Sequence, residues 1–198
     1  MREQYLRAGR APPICVTAMS DVATNSRTPW YGAGPWLLVV LVVIGLDQWT
    51  KRLIIDRLAE FDAIVLSPVL ELMRLHNQGA AFSFMADAGG WQRWLFVGLG
   101  IAVSIGIAIW LLRLPSRGES LLAGALSLVM GGAIGNVVDR IRFGYVVDFI
   151  RVHYEDWFFP AFNVADSAIT VGACLLILDS LIRGGTSPTP PEDPSPGD

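Results

Sequence analysis

Asp148 and Asp166 are the residues of this chain best placed to do chemistry. They lie in the stretches Gly131-Gly-Ala-Ile-Gly-Asn-Val-Val-Asp-Arg-Ile-Arg-Phe-Gly-Tyr-Val-Val-Asp-Phe-Ile150 and Phe162-Asn-Val-Ala-Asp-Ser-Ala168, where one long apolar run ends and another begins. A charge at the centre of a lipid-embedded helix costs about 2.5–3.5 kcal/mol on insertion scales, so ionisable groups at the ends of such runs are candidates for function. Two carboxylates brought close together cannot both ionise easily, and one keeps a proton at neutral pH. The ionised partner can then take a proton from water, while the protonated partner polarises a carbonyl and later supplies the leaving amine. That is general acid–base hydrolysis of a peptide bond without a covalent intermediate. The apolar neighbours Val146, Val147 and Phe149 should raise the pKa of Asp148, whereas a first helical turn around Asp166 favours the anion. Asp148 is therefore expected to be the initial acid, although such a pair titrates as a unit.

Other polar residues fall at the same places in the pattern. Asp47 and Lys51 are four apart at the end of the first apolar run, on one helical face. Asn136, Asp139 and Arg140 crowd one side of the third run's end, and Asn163 precedes Asp166 by three, where Asn can cap a helix. Asn77 stands two residues before Gly79 in Asn77-Gln-Gly-Ala-Ala-Phe-Ser-Phe84, which reads as a turn entering a short helix. Competing chemistries lack their parts. There is no His-Glu-x-x-His and the chain has only two histidines, His76 and His153, so no zinc or other metal site is expected. No Gly-x-Ser-x-Gly elbow occurs, and Ser83 and Ser167 have no evident base. The glycines of 131–135 lie in an apolar helix and are no phosphate loop.

The elements that must position these residues are membrane spans. Of the 198 residues, 53% are hydrophobic and 17% charged, against about 25% charged in soluble domains. Four runs approach the roughly 20 apolar residues that a span needs: about 35–52, 93–113, 120–141 and 162–182. The whole of 34–183 reads as one membrane domain. Segments 56–90 and 142–161 form the two long connections, with β-leaning stretches at Ile64–Leu66, Leu70–His76 and Tyr145–Ile150. Gly131 and Gly135 are spaced for close helix approach, and Gly98, Gly100 and Gly106 suit packing in the second span. Cys174 reads as a small packing residue of the fourth. Residues 1–33, with Arg2, Arg7, Arg10 and Arg27, and residues 184–198, rich in Pro and Ser, read as disordered tails. No cleavable signal peptide is expected at the start. The net charge of −3 carries no basic stripe, so nucleic acid is no expected partner. Lys and Arg, 15 in all, divide almost evenly between the two sides of a four-span topology and do not orient it.

Four blocks carry a resemblance: Asp47-Gln-Trp-Thr-Lys51, Asn77-Gln-Gly-Ala-Ala-Phe82, Gly135-Asn-Val-Val-Asp-Arg140 continuing to Val147-Asp148-Phe149, and Phe162-Asn-Val-Ala-Asp166. In this order, each at a span boundary, they resemble the prolipoprotein signal peptidase (signal peptidase II) family of bacteria over about residues 36–182. The resemblance implies an all-α membrane protein with four transmembrane helices and a small extracytoplasmic β-rich cradle with a short helix. It implies an aspartic endopeptidase of the cytoplasmic (inner) membrane, with cytoplasmic termini and its site near the outer leaflet. It places the catalytic pair on Asp148 and Asp166, and supporting polar positions on Asp47, Lys51, Asn77, Gly79, Asn136, Asp139, Arg140 and Asn163. The implied partners are prolipoproteins with a diacylglyceryl-modified cysteine, cut just before that cysteine, together with membrane lipid and inhibitors of the globomycin type; no cofactor is implied. A substrate with two acyl chains stays in lipid, which explains an active site at the bilayer surface. The long tails lie outside the resemblance.

Two other readings use the same residues. An ion or proton transporter would place ionisable groups at several depths, yet the second run carries none inside it. A structural membrane protein would spread its polar pairs over both faces instead of gathering them at one.

Overall fold

The computed structural model describes residues 33–79, 90–115 and 118–184. The terminal tails, the short helix expected after Asn77 and Cys15 therefore lie outside the described residues. In chain order the elements are α1 (Gly34–Arg57), β1 (Ala63–Ser67), β2 (Leu70–Asn77), α2 (Trp91–Arg113), α3 (Ser120–Phe143), β3 (Val146–Tyr154), β4 (Trp157–Phe158) and α4 (Val164–Gly184).

The helices form a bundle with α3 at its centre, packed on α1, α2 and α4. Small residues make that possible. A side chain at Gly131 would strike Val43 of α1 at 2.8 Å, and one at Gly132 would run into the Ala165 carbonyl and Ile169 of α4. On α2, Gly100 is closed by Val137, but Gly98 and Gly106 face open space, so of the three expected packing glycines only Gly100 is one. Cys174 also departs from expectation: it is exposed on the outer face of α4.

A bundle in lipid turns its apolar residues outward as well as inward. Leu95, Leu99, Ile101, Ile105 and Ile109 of α2 are exposed, with Trp91, Trp94 and Trp110 near its ends, as interfacial aromatics are. By length and composition α2, α3 and α4 are long and apolar enough to cross a membrane. The fourth expected span differs in kind. α1 has 24 residues, but its second half carries Asp47, Gln48, Lys51, Arg52, Asp56 and Arg57. Asp47 and Lys51 are buried against the bundle, not presented to lipid.

The description "all-α" does not hold either. The β-leaning stretches pair into one four-stranded antiparallel sheet, order β1-β2-β3-β4. Pro68 and Val69 make the tight turn between β1 and β2, where a missing proline N–H is harmless. β3 is attached to the bundle at both ends. Gly144, at φ 88°, ends α3 in the left-handed conformation that favours glycine, and its N–H reaches the Arg140 carbonyl at 3.1 Å. Ile150 exchanges backbone hydrogen bonds with Phe162 at 2.8 and 3.0 Å, just before α4. The middle of β3 is therefore held between the end of α3 and the start of α4.

Candidate active site

The start of α4 is the simplest part of the site. The Asn163 side-chain oxygen accepts the Asp166 N–H at 2.9 Å, and an Asp166 oxygen accepts the Asn163 N–H at 3.2 Å. This reciprocal arrangement is a capping box, with the acid three residues into the helix. A further free N–H of the first turn, that of Ala165, donates to Asp47 Oδ1 of α1 at 2.9 Å. Local helix chemistry thus fixes Asp166 in place.

Sheet register places Asp148. Leu75 pairs with Asp148 and Asn77 with Val146, so Asn77 and Asp148 are diagonal neighbours on one face. The Asn77 side-chain amide donates to Asp148 Oδ2 at 2.8 Å. Its own oxygen accepts the Gly79 N–H at 2.8 Å, in a turn where Gly79 has φ 106°. That bond leaves the NH2 end of the amide facing the carboxylate. Asn77 is the last residue of β2, not a loop residue as expected.

Asn163 joins the two acids. While its side-chain oxygen and backbone N–H bond Asp166, its NH2 group donates to Asp148 Oδ1 at 2.7 Å. The second oxygen of Asp166 is held from α3, where Asn136 Nδ2 donates to Asp166 Oδ1 at 2.8 Å. Each of the four carboxylate oxygens thus receives one N–H donor. Asp148 is only 3% exposed. Burial, countered in part by the amides and reinforced by the nearby Asp166 charge, pushes its pKa up to about 6. The expectation drawn from its apolar neighbours holds.

Behind this pair lies a second polar layer. Lys51 is 2% exposed, and its ammonium contacts Asp47 Oδ2 at 2.8 Å, Asp139 Oδ2 at 2.9 Å and Asn136 Oδ1 at 3.0 Å. The last contact sets the Asn136 amide so that its NH2 end faces Asp166. Asp139 also accepts the Val147 N–H at 3.1 Å, tying β3 to α3. Arg140 lies 4.9 Å over the Phe96 ring and is in the electrostatic range of Asp166, Asp148 and Asp139.

All ten expected residues, Gly79 included, therefore fall in one connected cluster. Two participants were not among them. Gln48 donates to Asp139 Oδ1 at 2.8 Å, Asp47 Oδ2 at 3.2 Å and the Gly135 carbonyl at 3.3 Å. An amide at a span end, three residues before Lys51 and so beside it on the helix, was the available signal. Phe96 gave no signal, since nothing marks one aromatic of an apolar helix as the seat of an arginine.

Comparison with known proteins gives the family. The family model described as signal peptidase (SPase) II matches residues 39–182. A lipoprotein signal peptidase of Pseudomonas aeruginosa is 52% identical over 151 residues, covering 75% of this chain and 89% of the relative. One of Acinetobacter baylyi is 49% identical over 145 residues, covering 73% and 80%. Among solved structures, a bacterial membrane enzyme determined by the in meso method at 1.9 Å resolution superposes with a TM-score of 0.65 at 30% identity, covering 75% of this chain and 93% of that one. A second, determined at 2.3 Å, gives 0.66 at 28% identity, covering 81% and 94%. With the family match spanning well over half of its length and relatives near half identical, this bacterial membrane protein belongs to the signal peptidase II family.

Proposed function

We propose that the chain is an aspartic endopeptidase that removes signal peptides from prolipoproteins, with Asp148 and Asp166 as its catalytic pair. The observation that carries the reading is the joint hold of Asn163 on both acids, through its side chain to Asp148 at 2.7 Å and its backbone N–H to Asp166 at 3.2 Å. The membrane setting and the relatives' activity on lipoproteins supply the substrate class.

The division of labour follows from the surroundings. Asp148, with its pKa raised to about 6, carries the proton at the outset. Asp166, at the positive end of the α4 dipole, starts as the anion. Asp166 takes a proton from the attacking water as the hydroxyl oxygen bonds to the scissile carbonyl carbon. Asp148 hydrogen-bonds the carbonyl oxygen and then passes its proton to the departing amine as the C–N bond breaks. Each carboxylate oxygen has a second lone-pair direction beyond the amide it already accepts, so substrate and water can be bonded without dismantling the cluster. Asp47, Lys51, Asn77, Gly79, Asn136, Asp139, Arg140 and Asn163 hold the pair in register.

Residues 34–183 form the peptidase domain in this reading, with α1 as a fourth span and the termini in the cytoplasm. The sheet then lies at the outer surface of the cytoplasmic membrane. The scissile bond precedes the diacylglyceryl-modified cysteine, whose acyl chains keep the substrate in lipid, and globomycin-type peptides compete for the same site. The deciding experiment is digestion of a lipidated precursor by purified Asp148→Asn and Asp166→Asn variants. Both should lose cleavage while staying folded, and retained cleavage in either would remove it from the mechanism.

A further inference from the structure

A groove remains on the side of β3 away from the acids. It lies between the last two turns of α1 and the strands β1 and β2, with Phe149 at its floor, and encloses about 270 Å³. Its walls include Leu53, Ile54, Leu58, Ile64 and Leu72. Leu53 and Ile64 are 39% and 45% exposed, so it opens outward, while Phe149 at 5% is sealed beneath. A space of this size between well-packed elements is large for a protein interior.

Two side chains break the apolar lining, at opposite ends. Thr50 is at one end, and its hydroxyl is already engaged with the Leu46 and Asp47 carbonyls at 2.8 and 2.9 Å. Arg57 is at the other, in the last turn of α1. The other arginines near the sheet have partners: Arg52 pairs with Asp56 at 2.9 Å, Arg151 with Glu71, and Arg74 donates to the Leu58 carbonyl at 3.0 Å. Arg57 has no acidic partner among the described residues.

We propose that this groove binds one anionic phospholipid of the leaflet level with Arg57, its phosphate on the guanidinium and an acyl chain along the groove towards Thr50. The polarity fits, because seven helical residues separate cation from Thr50, about 10 Å along the axis. α1 enters the bundle from its apolar end and reaches Arg57 last, so the cation is at the surface and the open apolar wall points to the membrane interior. A peptide fits worse. The lining side chains offer no free hydrogen-bond partner except Arg57, and a peptide's backbone groups would go unsatisfied beside them. A headgroup lacking its own cation leaves the phosphate charge to be balanced by Arg57, which favours an anionic over a zwitterionic lipid. The bound chain would pack on Phe149 and so support the strand that carries Asp148.

The inference rests on the membrane setting and not on the peptidase chemistry, so it is tested without cleavage. The full chain in detergent micelles is titrated with phosphatidylglycerol or phosphatidylcholine, with bound lipid counted by native mass spectrometry and unfolding temperature followed. The wild type should retain one phosphatidylglycerol in preference to phosphatidylcholine. Arg57→Gln should weaken that binding by about fivefold. Ile64→Trp, which fills the groove and keeps the cation, should weaken it as well. Unchanged binding in both variants, or equal retention of the two lipids by the wild type, would overturn the proposal. So would stabilisation by glycerol phosphate equal to that by the whole lipid, or displacement of the lipid by a lipid-modified precursor peptide.

Discussion

The two ends of the helical bundle use similar charges in opposite ways. At one end, Arg183 of α4 reaches Glu119 at 2.6 Å and Asp179 at 2.8 Å, with its side chain 43% exposed. At the other, Lys51 reaches Asp47 and Asp139 at almost the same distances, with all three side chains at 3% exposure or less. The exposed group staples α4 to the start of α3, at the bundle's surface. The buried group continues through Asn136 and Asn163 to Asp166 and Asp148. Water and salt weaken charge interactions at the first end. At the second they must be balanced by named partners, because a buried charge left alone is costly. Similar contacts therefore carry different consequences, and the difference lies in dehydration and in what the next hydrogen bond touches.

That contrast can be broken at several points. The largest effect is expected from Asp148→Asn or Asp166→Asn, which should lower precursor cleavage by about a hundredfold to ten-thousandfold in a digestion assay. Unfolding temperature should hardly change, since an amide keeps the shape and one of the two accepted bonds while removing a buried charge. Next comes Lys51→Met. It leaves Asp47 and Asp139 buried without a cation and should cost about 3–5 kcal/mol in denaturant unfolding. A stability close to wild type would mean that water reaches this layer and that the contrast is false.

A third effect is read from pH. Because Asp148 has a folded-state pKa raised from 3.8 to about 6, its contribution to stability is fully present below about pH 4. It is lost as pH rises to about 6. Cleavage should fall over the upper part of the same window, as the initial acid deprotonates, and the pH–rate profile of kcat/KM measures this. Asn77→Ala removes a donor to the anion, so the alkaline limb should move to higher pH with a smaller loss of rate than in the aspartate variants. The least effect belongs to Arg183→Ala, whose unfolding temperature should shift no more than for an ordinary surface substitution, and whose cleavage should be unchanged.

Much of this site was legible because its parts obey local rules. Asn163 and Asp166 are spaced as a capping box before an apolar run, and Asp47 and Lys51 as a helical ion pair; both contacts are present. Ile64–Leu66, Leu70–His76 and Tyr145–Ile150 have strand composition and became β1, β2 and β3. What could not be read was pairing at a distance. Nothing local says that Asn77 lies diagonally across from Asp148, 71 residues away. The same holds for Gln48, whose partner Asp139 is 91 residues on. Helix exteriors misled for a different reason. In lipid, Cys174, Gly98 and Gly106 can face outward at no cost to burial, so small size does not mark a packing position there. The sheet escaped the label "all-α" because spans dominate composition, while the strands that aim Asp148 are short.

The cap at the start of α4 has a consequence for the life of the molecule. The same atoms that start α4 also complete the acid pair, and α4 leaves the ribosome after the other described elements. A chain made only as far as β3 has Asp148 on its strand and no Asp166 beside it, so under the proposed mechanism hydrolytic competence waits for α4.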